Sequence, residues 1–254
     1  MKYVWYSNST CVTGRKIGQI LGVNYGTRPP PIGADLTICW GARYPKVRLK
    51  HSTKRRIETM RYINNIFKIE QNADKYKALN IMRHSGVRVP NTIPKHLLSE
   101  AEENGLFQYP IIGRKFYHQQ GNGFYLCNTH EEALRAMNLV DYFVEYIPNE
   151  DEYRIQVFGD DILRVSKKVQ VQMDADKYCR SNNKGWHYAH KVWRDNYQSM
   201  ADEAKKAVMS LGLDFGGVDL VVSNNQPFII EVNSGCGLGE SGLIKFADKI
   251  RSVT

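Results

Sequence analysis

The sequence predicts a mixed α/β or α+β fold. Strand-like and helix-like segments alternate along its 254 residues, the pattern of layered sheet-and-helix architectures. Hydrophobic residues make up 42% of the chain, enough for a substantial core, and no apolar run reaches the roughly 18 residues of a membrane helix. At about 100 to 200 residues per domain, the length suits one large domain or two small ones.

The elements follow in order. Residues 3–6 read as a short strand, 15–21 as a helix and 34–40 as a second strand. Between them Arg28-Pro29-Pro30-Pro31 is a stiff connector that cannot be helical. So small a unit is expected to lean on the rest of the chain. Residues 43–61 hold eight basic side chains (Arg43, Lys46, Arg48, Lys50, Lys54, Arg55, Arg56 and Arg61) against one acid, Glu58. They read either as a solvated helix face or as a docking surface for an anionic macromolecule. Helical stretches are expected over 53–69 and 74–85, the second stopped by Gly86 and Pro90. Residues 99–104 form a helical turn. A strand over 110–116, a polar glycine loop over 118–123 and a strand over 124–127 come next. Thr129 and Glu132 have capping-box spacing for a helix to about residue 139. Residues 142–147 read as a strand, with Pro148 and Asn149 turning after it. Strands 153–158 and 162–171 are joined by Gly159-Asp160-Asp161 as a hairpin. Residues 172–193 lack a period and read as a long loop. Ala201, Ala204, Ala207, Val208 and Leu211 have helical spacing, with Gly212 as a stop. Strands 215–222 and 227–232 form a hairpin around Ser223-Asn224-Asn225, and a glycine-rich loop over 234–242 precedes a last helix to about Arg251.

Composition excludes several function classes. The opening segment lacks the apolar stretch of a secretory signal. The five cysteines (Cys11, Cys39, Cys127, Cys179 and Cys236) are scattered and never spaced as CxxC. That argues against a disulfide framework or a cysteine zinc site and for a reducing cytoplasm, with no membrane partner. Lys and Arg exceed Asp and Glu by 35 to 26, a formal charge of +9. The excess favours nucleotides, acidic peptides or nucleic acid without choosing among them.

The chemistry concentrates near the C-terminus. Asp219 sits in the apolar strand Gly216-Gly217-Val218-Asp219, and Glu231 and Asn233 end the next one. Alternation puts Glu231 and Asn233 on one face, and pairing of the two strands can bring Asp219 to it. Two carboxylates and an amide oxygen make a hard donor set suited to magnesium carrying nucleotide phosphates. Burying two carboxylates without a cation is costly.

These segments, from Gly216 through Glu231-Val232-Asn233-Ser234-Gly235, resemble the metal-binding end of the ATP-grasp fold, in particular the RimK-like carboxylate–amine ligases. The resemblance extends over residues 73–254. Asp74-Lys75 resembles the start of the ATP-binding region, and Pro110-Ile111-Ile112 with Gln120-Gly121-Asn122-Gly123 its lid strand and glycine loop. Val144-Glu145-Tyr146-Ile147 resembles the hinge whose backbone receives adenine. Glu152-Tyr153-Arg154 resembles the step in which the acid holds ribose and the arginine faces the reaction centre. Cys179-Arg180-Ser181-Asn182 resembles the loop near the γ-phosphate. One position departs: seven residues before Gly121, where the family carries a lysine, stands Arg114 with Lys115 beside it. Either could grip phosphate, but neighbours on a strand cannot both face it. The register similarly favours Lys168 over Lys167.

The resemblance implies an α+β ATP-grasp fold: a short N-terminal α/β unit over 1–72, a lid subdomain over 73–146 and a metal-binding subdomain over 147–254. It implies an ATP-dependent ligase that joins a carboxylate to an amine through an acylphosphate, releasing ADP and phosphate. Asp219, Glu231 and Asn233 would hold two magnesium ions, with manganese as an alternative. Arg154, Arg180 and Asn182 would act on the phosphoryl group. Lys75, Arg114, Lys115, Gln120, Gly121, Gly123, Glu145, Tyr146, Ile147, Glu152 and Lys168 would hold ATP. The substrates would be an amino acid, peptide or protein. A small-molecule kinase on the same scaffold is the alternative enzyme. Another is a nucleic-acid-binding protein with an inert nucleotide site, since Tyr178, Trp186, Tyr188 and Trp193 interleave with Lys177, Arg180, Lys184, Lys191 and Arg194. His187 and His190 have no helix or acid to make them a metal pair.

Overall fold

A computed structural model describes residues 1–45, 49–117, 123–148, 151–180, 184–190 and 197–254. The chain begins with a parallel sheet. Strand β1 (Lys2–Tyr6), helix α1 (Val12–Leu21), β2 (Asn24–Gly26), β3 (Leu36–Trp40), α2 (His51–Thr59) and β4 (Arg61–Ile63) give the strand order β2-β1-β3-β4. All five residues of β3 are buried, as expected of a parallel strand covered on both faces. Helix α1 starts three residues before the expected boundary and stops at Gly22, whose φ of +67° suits the glycine.

The single helix expected over 53–69 is two helices with β4 between them. After β4, Asn64 turns the chain at φ +57°. Its buried amide accepts from the N–H groups of Asp214 and Phe215 at 2.8 and 2.9 Å and donates to the Phe215 carbonyl at 2.9 Å. Asn65 then caps α3 (Ile66–Ala73), accepting from the Phe67 N–H. Pairing with β3 and this docking override the helical propensity of the basic run. Helix α4 (Lys75–His84) is capped by Asp74 and ends before Gly86 at φ +74°.

A second, antiparallel sheet follows: β5 (Thr92–Pro94), α5 (Leu98–Glu103), β6 (Ile111–Arg114), β7 (Tyr125–Cys127), α6 (His130–Ala136) and β8 (Tyr142–Glu145), ordered β5-β8-β6-β7. Its own core includes Leu98, Phe107, Ile111, Val140 and Phe143. Thr129 accepts from the Glu132 N–H at 3.3 Å, but Glu132 reaches back to the N–H of Asn128, one residue before the cap.

The third sheet holds β9 (Asp151–Phe158), β10 (Asp161–Gln170), β11 (Trp186–His190), helix α7 (Tyr197–Ser210), β12 (Phe215–Ser223) and β13 (Gln226–Asn233), with helix α8 (Glu240–Val253) closing the chain. The antiparallel order is β11-β10-β9-β12-β13. Strand β11 lies inside the stretch expected to be loop. Its sequence does not alternate, and its pairing along β10 from Ser166 to Gln170 makes it a strand. The β12–β13 turn places Asn224 and Asn225 at positive φ, as a tight hairpin requires. The N-terminal sheet packs on this third layer through Trp40, whose ring lies 4.8 Å from Phe215 and 5.2 Å from Phe246. Among the described residues no helix is long and apolar enough to cross a membrane.

Candidate active site

The β12–β13 ladder sets Asp219 directly opposite Glu231 and Gly217 opposite Asn233. Past that point the register slips, Leu220 facing Ile229, so Ile230 is an extra, bulged residue. Glu231 and Asn233 lie on one face of β13, and the Asn233 amide donates to Asp219 Oδ2 at 3.2 Å. The three donors therefore converge.

Each carboxylate already has a cation. Arg154 forks onto Asp219, Nε to Oδ1 and Nη2 to Oδ2, both at 2.6 Å, the bidentate geometry that makes such pairs strong. Lys75 Nζ lies 2.7 Å from Glu231 Oε1. Burial pushes the Glu231 carboxyl up, yet Lys75, Arg154 and Arg114 outweigh it and hold the group below its usual range. Burial pulls the Arg154 guanidinium down, and Asp219 more than reverses that. Two carboxylates and an amide oxygen on one face fit a hard divalent ion. Among the described residues no cluster of three His, Cys, Asp or Glu side chains offers another such site.

Strand β9 supplies the next row. Glu152 and Arg154 alternate toward the cleft while Tyr153 and Ile155 turn into the core. Lys168 on β10 pairs with Glu152 in the cleft, whereas Lys167 pairs with Asp151. Burial raises the Glu152 carboxyl, and Lys168 offsets this only in part. Tyr188 of β11 lies under both cations: Arg154 Cζ stands 4.7 Å and Lys168 Nζ 5.6 Å from its ring centre. Its hydroxyl donates to Asp219 at 3.4 Å, and burial, then Asp219, raises its pKa. Arg180 stacks on Trp186 at 4.7 Å.

From the second sheet, Ile112 and Arg114 share the cleft face of β6. Burial lowers the Arg114 pKa, partly countered by Tyr142 and Glu231. Lys115, just past the strand, reaches the cleft wall with Nζ 3.9 Å from Asp141. At the end of β8, the Glu145 carboxylate accepts from the Asn91 N–H at 3.1 Å, and Tyr146 meets Tyr178 edge-on. Ile147 is buried, and with Leu79, Val144, Val221 and Ile230 it gives this end an apolar wall. Gly123 lines the cleft at φ +64°. Gln120, Gly121 and Asn182 lie outside the described residues.

Asp219, Glu231, Asn233 and the cations paired with or facing them open onto one cleft of about 1090 Å³. Among the described residues seven cationic side chains line it, Arg43 from the N-terminal unit included, against four carboxylates. It can hold a polyanion with a divalent ion at one end and a flat apolar group at the other. Sequence reasoning missed Tyr188 and Asn72 as wall residues. The basic–aromatic run pointed at the region of Tyr188. Nothing near Asn72 announces its amide, which donates to the Val232 carbonyl at 2.8 Å.

Comparison with known proteins adds an independent line. The family model of the RimK-like ATP-grasp domain matches residues 72–250. A probable alpha-L-glutamate ligase of Legionella pneumophila (strain Paris) is 27% identical over 222 residues, spanning 82% of this chain and 68% of that protein. One from Picosynechococcus is 30% identical over 183 residues, 67% of this chain and 58% of that protein. Among solved structures, the ATP complex of D-alanine–D-alanine ligase from Bacillus anthracis superposes with a TM-score of 0.66 at 13% identity, covering 99% of this chain and 97% of that one. The macrocyclase MdnC of Microcystis aeruginosa, bound to its precursor peptide, gives 0.64 at 12% identity with full coverage of both. At such identities these two speak for the fold.

Proposed function

The chain belongs to the RimK-like ATP-grasp family and is by that membership an ATP-dependent carboxylate–amine ligase, and from this premise we propose how its cleft performs the reaction. The substrate carboxylate takes the γ-phosphoryl group of ATP, giving an acylphosphate and ADP. The amine then attacks the acyl carbon, phosphate leaves, and an amide remains. Such chemistry depends mostly on positioning and on neutralising charge.

Asp219, Glu231 and Asn233 would hold magnesium, as two ions, with manganese able to replace it. When bound, magnesium supplies positive charge against the β- and γ-phosphates. Lys75 and Arg114 face that point from the first helix of the ATP-binding region and from the lid, and Lys115 stands beside them. Lys168 and Glu152 form the wall beyond, where Glu152 would accept from ribose. Glu145, Tyr146 and Ile147 border the apolar end suited to adenine. Arg154, in the same row of β9 as Glu152, and Arg180 would serve the transferred phosphoryl group and the acyl oxygen. Gln120, Gly121 and Gly123 would cradle phosphate, Asn182 would face the phosphoryl group, and the lid would keep water from the acylphosphate. The units 1–72, 73–146 and 147–254 correspond to an N-terminal support, a lid and a metal-binding half.

The observation that carries this assignment is the Asp219–Glu231 pairing with Asn233 on the same face, flanked by Lys75 and Arg154. Asp219→Ala and Glu231→Ala are expected to lower magnesium-dependent ADP formation by on the order of 100-fold or more, with the fold retained by circular dichroism. Wild-type ADP release from both variants would remove the metal assignment. For substrates, the excess of cations in the cleft favours an acidic partner. The relatives' names point to glutamate as one of the two joined groups, with an amino acid, peptide or protein as the other. An ADP-release screen with glutamate and acidic peptides tests this, and no stimulation by any acid would reject it.

A further inference from the structure

Strand β13, which carries Glu231 and Asn233, is at the edge of its sheet, with β12 on one side only. An edge strand leaves a row of backbone groups without sheet partners, and looseness there would move both side chains. Beyond the bulge at Ile230, alternate carbonyls on and after this strand are taken by donors from the N-terminal unit, residues 1–72. Asn72 Nδ2 donates to Val232 at 2.8 Å, the Gly41 N–H to Ser234 at 3.1 Å, and Trp40 Nε1 to Cys236 at 3.2 Å. Val232 lies between the two cleft-facing side chains.

These contacts are tightly built. Asn72 is only 3% exposed, and since its neighbour is a carbonyl, only the NH2 end of its amide can face it. Trp40 is fully buried, wedged on Phe215 and Phe246. A Cβ on Gly235 would stand 2.8 Å from the Gly41 Cα, so the two backbones touch with no side chain between them.

We propose that Asn72 and Trp40 are positioning residues of the cation site: by fixing the outer edge of β13 and the turn after it, they set where Glu231 and Asn233 present their oxygens. The N-terminal unit thus braces the site without touching the metal. This rests on the assignment of Asp219, Glu231 and Asn233 as ligands.

The test uses the full chain. Trp40→Phe keeps the ring stack and removes the N–H; Asn72→Leu keeps the volume and removes the donor. Mn2+ is titrated into each variant, into Glu231→Gln and into the wild type, with a non-hydrolysable ATP analogue present and well below every melting temperature. Bound ion is followed by electron paramagnetic resonance. Groups that orient metal ligands typically shift affinity about 10- to 100-fold, so the Mn2+ dissociation constant should rise about 10-fold in Trp40→Phe and Asn72→Leu. A purely structural role would lower Tm and leave the titration unmoved. Wild-type Mn2+ affinity in Trp40→Phe, with Glu231→Gln weakened, overturns the brace, whether or not Asn72→Leu folds. Unchanged affinity in Glu231→Gln overturns the ligand assignment and the brace with it.

Discussion

At the scale of single residues, the cleft is a balance of buried charges, and each imbalance has a readable sign. Glu152 and Lys168 form a pair with little exposure on either side chain. Removing one partner of a buried pair leaves the other charge uncompensated, which costs about 3 kcal/mol. Lys168→Met should therefore lose about that much stability at pH 8, measured by urea unfolding. Because burial already raises the Glu152 carboxyl, losing Lys168 raises it further, and the deficit should shrink as pH falls toward 5 and the acid protonates. Equal deficits at pH 8 and pH 5 would contradict this. Glu231 has the opposite sign. Its carboxyl is held down by neighbouring cations, so its stabilising contribution is full above the usual glutamate pKa and fades only as pH drops through the lower folded value. Of these residues, Glu231 and Asn233 were legible because strand alternation alone puts them on a common face, and the approach of Asp219 was legible from the adjacent hairpin strand. Tyr188 and Asn72 were not, since their partners lie 31 and 160 positions away and no local pattern encodes such contacts.

At the scale of elements, hairpins and caps were the most readable. Gly159, Asn224 and Asn225 occupy positive φ where the sequence places its turns, and Asp74 caps α4. The three-residue strands β2 and β5 were not expected, and the two larger failures were one strand without alternation, β11, and one helix that became two. Both have the same cause: pairing with a distant strand decided the outcome. Asn64 shows how strongly. It is fully buried, and its side chain makes three hydrogen bonds to the backbone at Asp214 and Phe215. At about 1 kcal/mol per bond and more for each buried group left unsatisfied, Asn64→Ala should cost about 3 kcal/mol or more. Asn65→Ala, one residue later, removes only a helix cap worth about 1 kcal/mol. Chemical denaturation of the two variants separates the roles, and equal losses would mean Asn64 is merely a turn residue.

At the scale of the whole molecule, charge and architecture combine. The formal +9 is expressed in the cleft and on the exposed basic residues of α2, Lys54 and Arg55; Arg56 differs, since its guanidinium donates to the Pro30 carbonyl at 2.7 Å. If α2 docks an anionic macromolecule, Lys54→Gln with Arg55→Gln should weaken binding to a polyanion such as heparin and flatten its salt dependence. Unchanged elution across a salt gradient would leave α2 a solvated face. The double role of Lys75 and Arg154 has a further consequence. Under the proposed ligand assignment, Asp219 and Glu231 each already have a counter-charge, so a bare ion diffusing in from solution would meet little attraction. The ion should arrive as a passenger of the triphosphate, whose negative groups draw Lys75 aside as they enter. A chelator would then leave thermal unfolding of the nucleotide-free enzyme where it was, and only the nucleotide-loaded enzyme would melt earlier.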